Sequence, residues 1–265
     1  MKYYDYHIHS QHSFDGWLTI DKICRKAAAI NMAGITFTEH VEFTGLYNED
    51  LQPDFAQYAK DIALAKKNYP DLKIGIGIEL GLKMASSAKA EKISQVLEWD
   101  FIIGSAHYMD GCTLHTGEFS EGKSKEESWH QYFIGLRKLV EEVNCFDVLG
   151  HLDLLRRDTT YDDRSLLWQD YQEEIDAMLL TLISMGKGIE VNTGAWRYGL
   201  EEPHPVSSII SRYRELGGEI ITCGSDAHLE KSLCQGIPEA YEYIKKAGFK
   251  YITLFEKRKL RQMPL

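Results

Sequence analysis

The chain has 265 residues, 44% hydrophobic and 26% charged, with a formal net charge of −10. That balance describes a globular protein able to bury a sizeable core, and its acidity argues against the basic face that a nucleic-acid partner requires. No run of eighteen apolar residues occurs and the N-terminal stretch carries charges at Lys2 and Asp5, so neither a membrane span nor a signal peptide is expected.

Strands are predicted over 3–9, 34–40, 74–80, 101–107, 146–151, 188–193 and 219–224. Helices are predicted between and after them, over 19–31, 53–68, 88–97, 125–144, 164–185, 207–216 and 238–247, with Pro53 at the first helical position of the second. Several stop at glycine, as at Gly34, Gly186, Gly217 and Gly248. A last β-prone piece over 251–255 runs into Lys257, Arg258 and Lys259, which read as a solvated basic end. Strict alternation of strand and helix calls for a parallel sheet with helices outside. Seven units, no glycine fingerprint after the first strand and no break in composition favour a closed or distorted barrel, with 1–265 as one domain. Active sites of such barrels gather at the C-terminal ends of the strands. The five cysteines are scattered and never in C-x-x-C spacing, which fits reduced thiols in a cytoplasm rather than a disulfide framework or a zinc clip.

In the first strand, alternation sends His7 and His9 to one face, a natural pincer for a divalent metal. Later strands end in Glu39-His40, Glu79, His107, and His151 with Asp153 beyond. The last two end in Asn192-Thr193, with Arg197 beyond, and in Asp226 with His228. A lone histidine at a strand end is more often a satisfied polar residue than a ligand. Seven strand ends delivering ligand types to one rim are not independent accidents. Glu79 is the most telling, because a carboxylate closing an otherwise apolar strand is costly to bury unless a cation compensates it.

His7-Ile8-His9, Glu39-His40, Glu79, Ser105-Ala106-His107, Gly150-His151-Leu152-Asp153 and Gly224-Ser225-Asp226-Ala227-His228 together resemble the PHP (polymerase and histidinol phosphatase) superfamily. From Pro203-His204-Pro205 through 224–228 to Gly248-Phe249, the chain is most similar to the stand-alone histidinol-phosphatase branch. The resemblance runs nearly end to end. It implies an α/β fold, a distorted (β/α)7 TIM-like barrel forming a single metal-dependent phosphoesterase domain. It also implies three divalent transition-metal ions, of Zn, Mn or Fe. One would be held by His7, His9, Glu79 and Asp226, and a second by His107 and His151, with Glu79 bridging. A third would take His40, His228 and a ligand from the loop after the first strand. Some relatives carry histidine at that loop position; Asp15 has the corresponding spacing here, and His12 is the alternative. A nitrogen and oxygen ligand set without sulfur suits each of the three metals.

The implied activity is hydrolysis of L-histidinol phosphate to L-histidinol and phosphate in histidine biosynthesis, by in-line attack of a metal-activated hydroxide. Glu79, Asp226 and His228 would be its catalytic residues, the last two as proton relays. Arg197, Arg156 and Arg157 are candidates to hold the phosphate; Arg197 resembles a family phosphate contact, whereas Arg157 reads more as a surface arginine. The cationic substrate calls for Glu42, Glu118 or Asp153 at the rim, with aromatic walls from Phe14, Trp17 or Trp196. His115, His130 and His204 receive no role. The rival readings are a PHP-type protein-tyrosine phosphatase or a phosphoesterase of another small substrate. The expected partner is a small-molecule phosphate monoester, with neither nucleic acid nor membrane, and the oligomeric state is left open.

Overall fold

Strand and helix alternate as the apolar patterning requires. The computed structural model describes residues 2–43 and 50–265. β1 (Tyr4–Ile8) is followed by α1 (Ile20–Ala29), β2 (Gly34–Val41), α2 (Phe55–Asn68), β3 (Lys73–Gly81), α3 (Ser87–Ser94) and β4 (Phe101–Ser105). A small hairpin of β5 (Tyr108–Met109) and β6 (Cys112–Thr113) precedes α4 (Lys125–Glu142). Then come β7 (Val148–Leu149), α5 (Gln172–Ser184), β8 (Gly188–Asn192), α6 (Ser207–Glu215), β9 (Ile221–Gly224) and α7 (Ile237–Lys246). The main sheet has the order β1-β2-β3-β4-β7-β8-β9, every pairing parallel. Its ends meet: Ile8 bridges Ala227 in parallel, the His9 N–H donates to Ala227 O at 3.0 Å, and the Asp226 N–H donates to His7 O at 2.7 Å. The result is the distorted seven-stranded TIM-like barrel that the alternation predicts. Among the described residues no helix is long and apolar enough to cross a membrane.

Local chemistry sets the element ends. The Thr19 side chain caps α1 by accepting from the Lys22 N–H, and Ser124 and Glu127 form a reciprocal capping box on α4. Asp54 caps α2 by accepting the Ala56 and Gln57 N–H groups, so Pro53 precedes that helix instead of opening it. The helix predicted from 164 starts only at Gln172. Asp163 accepts the Ser165 N–H at 2.9 Å, a local turn that competes with the helical ladder. Asp110 and Gly111 both have positive φ (50° and 88°) and join β5 to β6, a hairpin turn that the Asp-Gly pair signals but the strand pattern alone hides. On β3, Ile74, Ile76, Ile78 and Leu80 fall on one face, leaving Gly75, Gly77, Glu79 and Gly81 on the other. The small residues make room around a single carboxylate.

The opposite mouth of the barrel is closed by β10 (Tyr251–Glu256) and β11 (Lys259–Pro264), an antiparallel hairpin. The Tyr6 hydroxyl accepts the Phe255 N–H at 2.8 Å, and Phe255 packs on Phe101 with ring centroids 5.1 Å apart. Arg258 donates through Nε and Nη2 to Asp147, just before β7, and through Nη2 to Cys145 O at 2.8 Å. The basic end is therefore not simply solvated. Lys257 and Lys259 are exposed, but Arg258 ties the hairpin to the floor.

Candidate active site

The C-terminal ends of the strands surround a cavity of about 620 Å³. At its base lies Glu79, fully buried, and its two oxygens face different partners. Oε2 lies 3.1 Å from His7 Nε2, 3.4 Å from His9 Nε2 and 3.1 Å from His40 Nδ1. Oε1 lies 2.9 Å from His151 Nε2 and 3.1 Å from His107 Nε2. Barrel closure brings in Asp226, whose Oδ1 is 3.7 Å from His7 Nε2 and 3.4 Å from His9 Nε2. A third group forms nearer the mouth, where Asp15 Oδ2 sits 3.1 Å from His228 Nε2 and 3.6 Å from His40 Nε2. His12 turns away and meets Asp61 at 2.9 Å, so the loop delivers Asp15 to the cavity and not His12.

Clusters of ligand atoms close enough to share an ion arise at His7/His9/Glu79, at Glu79/His107/His151 and at His9/His40/His228. His7 Nε2, His9 Nε2, His40 Nδ1 and Glu79 Oε2 are buried without a hydrogen-bond partner among the described residues. Buried polar atoms left so are costly, and a cation at their common focus removes the cost. The electrostatics agree. Burial pushes the Glu79 carboxyl up, but His7, His107 and His40 outweigh it and hold it well below its ordinary range. Burial pulls the His107 imidazole down, yet Glu42 and Glu79 raise it to about 9. Such a cluster demands positive charge. Its nitrogen and carboxylate donors, with no cysteine among them, fit divalent transition metals.

Other predicted residues fall differently. Glu42 lines the cavity but is buried and accepts from His107 Nδ1 at 2.6 Å, so it orients a histidine rather than waiting at the rim. Asp153 is buried behind the wall with Arg156 and His204, accepting the Val206 N–H at 3.0 Å. Glu118 is exposed and lies outside the cavity lining. Arg156, paired with Asp153 and donating to Pro203 O at 2.8 Å, is structural in its contacts. Arg157 is no surface arginine: its side chain is 12% exposed, lines the cavity and donates to His115. Arg197 also lines the cavity, and donates to Ser225 O and Asp226 O, both at 2.6 Å. Those two bonds clasp a turn in which Asp226 has φ 53°, a left-handed conformation rare outside glycine. Phe14 and Trp17 stand at the mouth, 59% and 79% exposed, whereas Trp196 lies outside the lining and donates to Glu201 O.

One functional group went unread in the sequence. Glu190 on β8 is fully buried and takes the His7 Nδ1–H at 2.7 Å, while also accepting the His151 N–H and the Asn192 amide. It leaves the His7 Nε2 lone pair facing Glu79 and Asp226. Its signal was the one Glu79 gave, a single carboxylate in an apolar strand. Glu190→Gln is expected to weaken metal retention by roughly 10–100-fold, the usual scale for such partners; unchanged retention in a chelator challenge counts against the role.

A parallel barrel with histidine and carboxylate clusters at its C-terminal mouth is the architecture of a metal-binding hydrolase. The PHP domain profile matches residues 5–194, and the chain belongs to that family. It is 30% identical over 262 residues to the histidinol-phosphatase of Lactococcus lactis subsp. lactis, covering 98% of this chain and 97% of that one. It is 20% identical over 278 residues to the histidinol-phosphatase of Saccharomyces cerevisiae, covering 84% and 83%. The crystal structure of the Lactococcus lactis histidinol phosphate phosphatase, complexed with zinc, L-histidinol and phosphate, superimposes with a TM-score of 0.89 at 29% identity, over 98% of this chain and 99% of that one.

Proposed function

We propose that this chain is a metal-dependent phosphomonoesterase that hydrolyses L-histidinol phosphate to L-histidinol and phosphate. The observation that carries the reading is the seating of Glu79 between two histidine clusters, in a chain aligned almost end to end with a histidinol-phosphatase. We assign His7, His9, Glu79 and Asp226 to one ion, Glu79, His107 and His151 to a second, and Asp15, His40 and His228 to a third. Zinc is the first candidate, because the Lactococcus lactis relative was crystallised with it. Divalent ions bound side by side lower the pKa of a shared water and neutralise the phosphoryl oxygens.

The chain's own residues do the rest. Arg157 and Arg197 form the cationic wall against which the phosphoryl group is oriented. Water gives up a proton to solvent and attacks phosphorus in line, the P–O bond to the alcohol breaks, and the leaving alkoxide takes up a proton from solvent at the cavity mouth. His228 is not its source: Nε2 faces the third ligand group and Nδ1 lies 3.1 Å from Asp226 O, which leaves it the role of a ligand. With Glu42 and Asp153 engaged elsewhere, the cationic end of the substrate faces the rings of Phe14 and Trp17. Five free thiols, four of them buried, suit work in the cytoplasm.

The test is a substrate comparison on protein of known metal content. Three ions per chain are expected, and kcat/KM for L-histidinol phosphate should exceed that for p-nitrophenyl phosphate and phosphotyrosine peptides by at least about tenfold, needing only ~1.4 kcal/mol of differential binding. A peptide preferred by that margin would replace the biosynthetic assignment with a tyrosine phosphatase.

A further inference from the structure

The loop between β1 and α1 rests on a carboxylate to which the reaction gives no part. Glu39, on β2 beside His40, is fully buried. It accepts the Ser10 N–H at 3.0 Å, the Ser10 hydroxyl at 2.6 Å and the Ser13 hydroxyl at 2.6 Å. Burial pushes this carboxyl up, and the bonds from Ser10 and Ser13 pull against that. Ser13 has a single hydroxyl proton, and it goes to Glu39. The Ser13 oxygen meanwhile accepts the His40 N–H at 3.0 Å and lies 3.1 Å from His9 Nδ1. With its proton committed, Ser13 can meet His9 only as an acceptor. His9 therefore carries its hydrogen on Nδ1 and aims the Nε2 lone pair at the metal cluster.

The same anchor seats Asp15. The loop closes on itself through Ser13 N–H to Ser10 O at 3.0 Å and Gly16 N–H to Ser13 O at 3.1 Å. A Cβ at Gly16 would lie 1.8 Å from Ser10 O, so this compact path tolerates only glycine there. It ends with Asp15 against His228 and His40, whose rings flank His9 at centroid distances of 4.1 and 4.2 Å.

We propose that Glu39 is a positioning residue of the metal cluster, setting the tautomer of His9, a ligand of the first ion, through Ser13, and the seat of Asp15, a ligand of the third, through Ser10 and Ser13. The inference rests on the metal-dependent reading above. Glu39 itself touches neither substrate nor ion. The test compares wild type, Glu39→Gln and Ser13→Ala by elemental analysis, by calorimetric titration of the stripped protein with Zn²⁺, and by 15N spectra of histidine-labelled, zinc-loaded protein. In Glu39→Gln the two ions assigned to His9 and to Asp15 should lose at least about tenfold in affinity, while the ion assigned to His107 and His151 changes by less than about threefold. Its kcat should fall with KM nearly unchanged, and excess Zn²⁺ should restore part of it. Ser13→Ala should weaken the same two ions and abolish the wild-type signature of His9 protonated at Nδ1. Unchanged affinities in both variants, or uniform weakening of every ion, overturns the proposal. Should Glu39→Gln fail to fold, Ser13→Ala decides by the same readouts. Wild-type protein that takes up no metal would instead overturn the metal-dependent reading itself.

Discussion

Replacing Glu79 by Gln is expected to lower kcat by a factor on the order of 10³ or more, about 4 kcal/mol of lost transition-state stabilisation. The carboxylate offers Oε2 to His7, His9 and His40 and Oε1 to His107 and His151, so one substitution disturbs two clusters together. An amide keeps the shape but removes the charge, and its NH2 group points a donor at one cluster. Elemental analysis should show more than one ion lost per chain. Because Glu79 is fully buried in a cluster of mutually repelling imidazoles, the stripped variant should also melt below stripped wild type. Near wild-type turnover would remove Glu79 from the bridge.

Arg197→Ala should cost about a hundredfold or more in kcat/KM, equal to roughly 3 kcal/mol. Two consequences are combined in that figure: a cationic group leaves the cavity wall, and the Ser225 and Asp226 carbonyls lose their clasp. The second distinguishes Arg197 from Arg157, which makes no bond to the Asp226 turn. Arg157→Ala should weaken substrate handling with metal content intact, whereas Arg197→Ala should also loosen the ion held by Asp226. Lysine should rescue Arg197 poorly, since one ammonium cannot reproduce a planar fork reaching two carbonyls. Equal, small effects at both arginines would mean that the phosphate is held without them.

The barrel and the ligand-type residues at its mouth were legible in the sequence because each has a local signature. Short β-prone runs between helical stretches give the seven strands, and the residues closing those runs fall at one rim. The partners of those residues were less legible. Glu42 looks like a rim acid until the His40 ring beside it and the His107 strand end are brought together in space. Asp153 sits two residues from His151, yet its contacts lie with His204, 51 positions later. Glu39 was read only as half of a Glu-His pair, since nothing in the chain reveals that Ser10 and Ser13 fold back onto it. The basic stretch after β10 likewise concealed an arginine whose partner, Asp147, is 111 residues upstream.

Barrel closure has a consequence in time. β1 finds one flank on β2 early, but its other flank is completed only by residues 226–227, and the Tyr6 hydroxyl waits for Phe255, 249 positions later. At roughly 5–20 residues per second, synthesis takes on the order of ten to fifty seconds to bridge that interval. Throughout it, the edge carrying His7 and His9 is open to pairing with other chains, and Asp226 has not yet been made. Metal capture by the full set of ligands is therefore an event of the finished chain.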